Sequence, residues 1–368
     1  MPGGGVALAP ACSHHERVTQ TAVADRSAGR WGTVARLALA TLVSLPFFAA
    51  ASSLILTASF LVEFLGQGRW RPLSALTRAP VARGLPAMSG TRAVPLDLYT
   101  RDALRRPPGL VLVHGLAAAG KDDPRLREAA QLLARAGWAV AVPTVEGLTV
   151  LRLRPEDAGA VTASVEALHA AGYRRVAVLG ISLGAGPALL AASDGTPAAR
   201  LAAVLAMGGY ASAVELLRYT LTGAYAFGPV AGRAGTVLEP AIAQFARANT
   251  ELLDEAGRRF VDNRDPAAVD ERVRALPRST RDLLDALSPG PRIGGLRAPL
   301  FLIHGRRDPA VPFTESLRLE AAARAAGRPV RTAIVGAVGH VEADLRTGLA
   351  DLVRLWATFY AFRRTAEG

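Results

Sequence analysis

The sequence predicts an α/β fold in which a mainly parallel sheet is flanked by helices. Short apolar runs of strand length alternate with helix-like patterns from Thr91 onward, which is typical of repeated βα units. One of these runs, Arg175 to Leu179, leads into Gly180-Ile181-Ser182-Leu183-Gly184 and then into a helix-like segment. A G-x-S-x-G sequence between a strand and a helix predicts a nucleophile elbow, the sharp turn that presents a serine hydroxyl for attack.

The composition fits a globular chain and weighs against nucleic-acid binding. Half of the 368 residues are hydrophobic, which is enough for a substantial core. The net charge of +12 comes almost entirely from arginine, since Lys121 is the single lysine, and the arginines are interspersed with acidic residues. Cys12 is the single cysteine, so the chain has no internal disulfide and no cysteine metal site. We therefore expect no nucleic-acid partner and no metal.

The N-terminal region predicts a membrane anchor. Residues 37–62 form an uncharged run of 26 residues, and a helix needs roughly 20 apolar residues to cross a bilayer. Trp31 and Trp70 lie just outside the run, where aromatic residues favour the membrane interface. The resulting assignment is a polar leader at 1–36, a single-pass transmembrane anchor at 37–65 and a juxtamembrane linker at 66–90.

The anchor has one alternative interpretation, and its flanks carry balanced charge. A cleaved signal peptide is the alternative, with Ala49 to Ala51 as its cleavage site, but the apolar run continues past that site. The arginines on the two sides of the run balance, so they give no orientation. Because a polar leader usually stays in the cytoplasm, we expect the C-terminal domain on the extracytoplasmic side.

The uncharged stretch 176–193 contains the elbow, and it predicts a buried strand and a packed helix instead of a second span.

The elements of the remaining chain follow in order. The first part, 91–208, predicts an extended segment Ala93 to Tyr99, strands Leu110 to Val113, Trp138 to Val142, Val176 to Leu179 and Leu201 to Met207, and helices between them. Residues 209–296 show helix-like patterns and no convincing strand, which predicts an inserted helical cap. The last part, 297–368, resumes the alternation with strands Leu300 to Ile303 and Val330 to Val335 and a terminal helix.

Polar residues follow several of the predicted strands directly. They are His114, Ser182, Asp308 and His340. The carboxyl ends of parallel strands meet at one edge of a sheet, which is where ligands bind in such folds. The order Ser182, Asp308, His340 is the order expected for a serine nucleophile, its acid and its base on this kind of sheet.

With these residues, the segment 93–365 resembles an α/β-hydrolase domain that carries a cap before its last two core strands. Ser182 matches the nucleophile of the elbow, and His340 matches the base that precedes the final helix. Asp308 matches the acid of the family signature H-G-x-x-D-x-x-V-P, present here as His304 to Pro312. A serine at the nucleophile position argues against haloalkane dehalogenases and epoxide hydrolases, which use aspartate there.

The same resemblance implies an oxyanion hole. His114-Gly115-Leu116 matches the H-G-x turn of the family, whose third residue supplies a backbone donor. The backbone N–H groups of Leu116 and Leu183 would then bind the oxyanion. We expect His114 and His304 themselves to be structural, each bonded to nearby backbone.

The resemblance implies a membrane-anchored serine hydrolase that cleaves carboxylic esters or thioesters through Ser182, His340 and Asp308. The cap would shape an apolar pocket for a small-molecule or lipid-like ester, and the mechanism requires no cofactor. A peptidase of the prolyl-oligopeptidase type is a weaker alternative, because the region before Thr91 is too short for the propeller of that family. A catalytically inactive binding or scaffold protein at the membrane is the alternative from another class. The sequence does not give the oligomeric state.

Overall fold

A computed structural model describes residues 3, 51–66, 69–101, 107–195, 200–234, 239–249, 254–336 and 348–368. The chain divides into two compact units, 1–54 and 55–368. Of the first unit only residues 3 and 51–54 are described, so the predicted leader apart from residue 3, and the part of the predicted anchor at 37–50, lie outside the described residues.

An eight-stranded sheet lies at the centre of this unit. Its strands are β1 (Val81–Gly84), β4 (Leu96–Thr100), β5 (Gly109–Val113), β6 (Ala139–Pro143), β7 (Val176–Ile181), β8 (Leu201–Met207), β11 (Leu300–Gly305) and β12 (Val330–Val335), and a small separate pair is formed by β2 (Met88–Ser89) and β3 (Arg92–Ala93). The strand order in the sheet is β1-β4-β6-β5-β7-β8-β11-β12. β1 pairs with β4, and β4 with β6, in antiparallel fashion. All other neighbouring strands, from β6 across to β12, pair in parallel, which confirms the predicted mainly parallel sheet.

Helices cover both faces of the sheet. They are α1 (described over 51–65), α2 (Pro72–Leu76), α3 (Pro124–Arg135), α4 (Glu146–Thr149), α5 (Ala158–Ala170), α6 (Ala185–Ser193), α7 (Ala213–Thr222), α8 (Glu239–Ala248), α9 (Glu255–Val261), α10 (Val269–Ala275), α11 (Arg278–Ala286), α12 (Thr314–Ala325) and α13 (Leu349–Glu367). Along β5, Val111 and Val113 pack into one hydrophobic cluster with α5 and α6. Leu110 and Leu112 pack into a second cluster with α3 and α13. The fully apolar strand is therefore buried on both faces, as expected for a central parallel strand.

Helix α1 packs against the sheet and α13, which corrects the expectation that the whole segment 37–65 faces lipid. Phe60, Leu61 and Leu65 are buried in the cluster that contains α3 and α13, and the ring of Phe60 stacks on Phe359 of α13 at 4.8 Å. The buried carboxylate of Glu63 accepts hydrogen bonds from the backbone N–H of Ser74, at 2.9 Å, and from its hydroxyl. Within the described ranges, none of the helices combines the length and the apolar character that a bilayer crossing requires.

The segment 66–90 is part of the fold instead of a plain linker. It contains α2, whose Leu73 is fully buried, and the edge strand β1, which pairs with β4. Arg135 of α3 holds α2 in place by donating to the carbonyl oxygen of Thr77 at 2.5 Å. All four residues of β1 are exposed, so the strand lacks the apolar pattern by which a sequence reveals strands.

The segment 209–296, predicted as a helical cap, contains helices α7 to α11 in its described part. It also contains a β-hairpin that the sequence analysis did not predict, with strands β9 (Ala224–Phe227) and β10 (Val230–Arg233). A two-residue turn joins these strands, and its first residue, Gly228, has φ +55°. Such positive angles are required in tight hairpin turns and favour glycine. The cap helices bury their own cluster, which includes Leu217, Phe260 and Leu284.

Candidate active site

Ser182 occupies a strained turn at the carboxyl end of the central strand β7. Its φ of +53° is unusual for a residue with a side chain. The turn leads directly into α6, so the predicted strand, serine and helix occur in that order. Gly184 allows the elbow to approach the neighbouring loop, because a Cβ atom there would lie 2.0 Å from the carbonyl oxygen of His114. The geometry is that of a nucleophile elbow.

The loop after β5 runs along this elbow. A Cβ atom on Gly115 would lie 3.0 Å from the Cβ of Ser182, so glycine permits the close approach. Leu116, 40 % exposed, and the partly buried Leu183 line the same cavity as Ser182. The two residues predicted to form the oxyanion hole are therefore brought to the serine, and their role as donors stays a prediction.

Asp308 lies in a buried turn after β11 and is held by backbone donors. Its Oδ1 accepts hydrogen bonds from the N–H groups of Ala310 and Val311, at 2.8 and 2.9 Å, and the residue is 4 % exposed. The hydroxyl of Tyr219, on cap helix α7, donates to the carbonyl oxygen of Asp308 at 2.9 Å. Burial, together with the charge of Asp308, raises the pKa of Tyr219 to about 12, so this hydroxyl stays protonated as a donor.

His340, the predicted base, lies outside the described residues, within 337–347. The described chain before it ends at Gly336, directly after β12 and beside the strand that precedes Asp308. The N–H of Gly336 donates to Asp351 of α13 at 2.8 Å. The assignment of His340 stays a prediction.

His114 and His304 have structural hydrogen bonds, in agreement with the sequence analysis. His114 Nε2 accepts from the N–H of Val145 at 3.0 Å, and its Nδ1 lies 2.7 Å from the carbonyl oxygen of Gly115. Burial lowers the pKa of His114, so the ring stays neutral, with the proton on Nδ1. His304 bridges the hydroxyl of Ser316 and the carbonyl oxygen of Val311, at 2.7 and 2.9 Å.

A cavity of about 580 Å³ opens at Ser182. This volume is within the usual range for small-molecule sites, about 300 to 1,000 Å³. Its wall is mostly aliphatic and aromatic, with residues from the cap, such as Leu216 and Leu283, and from helix α1, such as Phe64. In the described part of the chain, no group of three or more His, Cys, Asp or Glu side chains is placed to hold a metal ion.

Sequence reasoning missed three residues that contribute to this site, Tyr219, Phe60 and Phe64. Tyr219 fits the apolar pattern of an amphipathic helix, and nothing in the sequence indicates its bond to the loop of Asp308. Phe60 and Phe64 lie in the predicted anchor, whose uncharged character pointed to lipid. The charge of Glu63 between them is the signal against burial in lipid, because a carboxylate at that position needs a polar partner.

Comparison with known proteins gives similarity at the level of structure. No protein-family model and no curated protein matches the sequence. The acylaminoacyl peptidase of Pyrococcus horikoshii is similar with a TM-score of 0.53 and 16 % identity, over 79 % of this chain and 42 % of that one. A puromycin-hydrolyzing peptidase of Mycobacterium tuberculosis gives a TM-score of 0.52 and 18 % identity, over 80 % of this chain and 40 % of that one. The chain thus spans about two fifths of the length of these proteins. The similarity and the sheet topology together show that the chain has the α/β-hydrolase fold.

Proposed function

We propose that the protein is a serine hydrolase that cleaves carboxylic esters or thioesters of apolar acids. Ser182 is the nucleophile, His340 the general base and Asp308 the residue that orients the imidazole. The observation that carries this proposal is the elbow: a serine in a left-handed backbone conformation, at a strand end, opening into a mostly apolar cavity. Such a turn is costly for a serine, and its known use is to present a nucleophile.

In the proposed mechanism, the hydroxyl of Ser182 attacks the substrate carbonyl carbon while His340 accepts the hydroxyl proton. Asp308 stabilises the imidazolium that forms. The backbone N–H groups of Leu116 and Leu183 stabilise the tetrahedral oxyanion, at about 3 kcal/mol per donor. His340 then gives the proton to the leaving alcohol or thiol, and a water molecule hydrolyses the acyl-enzyme by the same steps.

Hydrolysis of p-nitrophenyl esters of graded acyl length tests this function. We expect release of p-nitrophenol with a preference for longer acyl chains, since each buried methylene contributes about 0.8 kcal/mol. Ser182→Ala should abolish the reaction, whereas Ser164→Ala, a buried serine bonded within α5, should not. Full activity of the Ser182→Ala variant, or a preference for the shortest chain, would contradict the proposal.

Peptide hydrolysis is a second candidate, favoured by the names of the two similar solved structures. The same triad cleaves amides, so the site chemistry alone does not separate the two. The mostly apolar cavity wall favours an ester with an apolar acyl group over a peptide, whose backbone needs hydrogen-bond partners. Comparison of kcat/KM for an acyl ester and for the matching acyl-amino-acid amide would decide between the two.

We also propose that the N-terminal uncharged run, which begins at residue 37, attaches the chain to a membrane, with the hydrolase domain on the extracytoplasmic side. The uncharged run supports this proposal, together with the exposed apolar face of α1, where Ile55 and Val62 are 57 % and 44 % exposed. The full chain should stay with membranes after alkaline carbonate washing, whereas a chain lacking 1–50 should be released. Release of both chains would refute the attachment, and protection of the domain from protease in intact cells would refute the orientation.

A further inference from the structure

The cavity at Ser182 borders two separate hydrophobic clusters. One part of its wall comes from α1 and α13, and these residues belong to the cluster on one face of the sheet: Phe60, Leu61, Phe64, Leu355 and Phe359. We name this part the helix end. Another part comes from the cap, and these residues belong to the cap cluster: Leu217, Phe260, Leu283, Leu284 and Leu287. We name this part the cap end.

The chain neighbours of Ser182 pack against different clusters. Ile181, before it, packs against the cluster that forms the helix end. Leu183, after it, packs against a small cluster of Tyr210, Leu216 and Val311, in which Leu216 lies on cap helix α7 next to Leu217 of the cap end. Because Ser182 lines the same cavity as both ends, a substrate attacked by its hydroxyl can contact apolar wall from each of them.

We propose that the substrate carries an apolar group on each side of its scissile bond, with one group in the helix end and the other in the cap end. This inference rests on the proposed ester hydrolysis and specifies its substrate class, an ester of an apolar acid with an apolar alcohol or thiol. Phe64 sets the size of the group at the helix end, and Leu283 sets the size of the group at the cap end.

These two side chains are suited to control size without being part of the central core. Phe64 and Leu283 are both partly buried, line the cavity and project from different helices, α1 and α11. The ring of Phe64 stacks on Phe60 at 5.7 Å, and Phe60 in turn stacks on Phe359, so the aromatic wall is continuous at the helix end. Truncation of either side chain adds space to one end alone.

Two ester series test the inference on the full chain. In the first series the alcohol is ethanol and the acid is lengthened, and in the second the acid is butanoic and the alcohol is lengthened. The wild-type protein should accept long groups in both series. In one series, Phe64→Ala should raise kcat/KM about tenfold for esters whose varied chain is just longer than the length the wild-type protein prefers. Leu283→Ala should do the same in the other series. The expected size follows because one methylene in an apolar pocket changes kcat/KM by about tenfold or more.

Val353→Ala is the matched control, because Val353 lies on α13, which also contributes to the helix end, and its side chain is exposed to solvent outside the cavity wall. It should change neither series. Phe64→Leu is a milder variant and should give a smaller shift in the same series as Phe64→Ala. The inference is overturned if both truncations shift the same series, if either lowers all rates uniformly, or if the wild-type protein tolerates only one long group. Absence of hydrolysis and of fluorophosphonate labelling in the wild-type protein would instead refute the proposed function.

Discussion

Ser182 and Leu151 share an unusual backbone. In the part of the chain that the structure describes, they are the non-glycine residues in the left-handed region, with φ of +53° and +59°. Such a conformation costs on the order of 1 to 3 kcal/mol and persists only where the surroundings hold it. Both residues line the cavity, and the carbonyl oxygen of Leu151 accepts a hydrogen bond from Asn249 of the cap at 3.0 Å. Backbone strain thus coincides with the candidate site.

His114 gives a pH-dependent prediction. Burial lowers its pKa in the folded state, so the unfolded chain binds a proton first as the pH falls through about 6.5. The stability that His114 contributes is therefore complete above pH 6.5 and is lost on acidification below it. Urea unfolding of wild type and His114→Gln should show a stability difference that shrinks with acidification, by at most about 1.4 kcal/mol per pH unit.

The comparison with His114→Gln isolates this histidine from other titrating groups. Burial raises the pKa of Asp157 and of Glu315, so these carboxyls make the folded state more stable as the pH falls. Both carboxyls are present in both proteins, and their effect therefore cancels in the difference. A stability difference that stays constant between about pH 7.5 and 5.5 would show that His114 does not titrate as the hydrogen bonds indicate.

Motif residues were the part of the site that the sequence could predict. The elbow, the turn of Asp308 and the H-G-x turn are local patterns, because strand ends and glycines impose them within a few residues. The contact between Gly115 and Ser182 follows from the pairing of β5 with β7. Tyr219 was not predictable, since its partner lies 89 positions away and only the packing of the cap on the sheet joins them.

At the scale of elements, the two ends of the cap segment are fastened to the core. The carbonyl oxygen of Ala211 accepts from the N–H of Gly290 at 2.9 Å, so the chain leaves and re-enters at one place. The buried carboxylate of Glu315, on α12, accepts from the N–H groups of Ala211 and Ser212, both at 2.9 Å. The cap is thereby attached at the edge of the sheet that carries Ser182 and Asp308.

Tyr219 connects the cap to the loop of Asp308, and Tyr219→Phe tests this connection. Loss of the hydrogen bond should lower the free energy of unfolding by about 1 kcal/mol. It should also lower kcat/KM about tenfold, because small displacements of an orienting group weaken catalysis. Steady-state kinetics and urea unfolding measure the two effects.

Tyr225→Phe is the control for this variant. Tyr225 lies on the cap hairpin and packs edge-on against Tyr219, with ring centroids 6.0 Å apart. Removal of its hydroxyl should leave kcat/KM and stability near the wild-type values. Equal effects of the two variants would mean that the hydroxyl of Tyr219 has no special role.

The sequence did not predict strands in which buried and exposed residues fail to alternate. β1 is exposed along its length, and the hairpin strands β9 and β10 alternate only between partial and full exposure. Strands in such positions are stabilised by backbone pairing and cross-strand contacts, which a single sequence does not display.

At the scale of the whole molecule, helix α1 shows why hydropathy misjudged part of the N-terminal region. A helix buried against protein and a helix buried in lipid present the same apolar sequence. Two contacts distinguish α1 from a helix buried in lipid. The carboxylate of Glu63 accepts a hydrogen bond from Ser74 of α2, and an aromatic ring of α1 stacks on α13. The mainly parallel core was predictable because each βα unit repeats the same pattern, whereas the order of the strands came from the structure.

Ser182 should react as an activated nucleophile. Labelling with a fluorophosphonate probe, followed by mass spectrometry of the intact chain and its peptides, tests this reactivity. We predict one adduct per chain, located on Ser182, absent in Ser182→Ala, unchanged in Ser164→Ala and strongly slowed in His340→Gln. Absence of labelling in the wild-type chain, or labelling that persists in Ser182→Ala, would show that Ser182 is not the nucleophile.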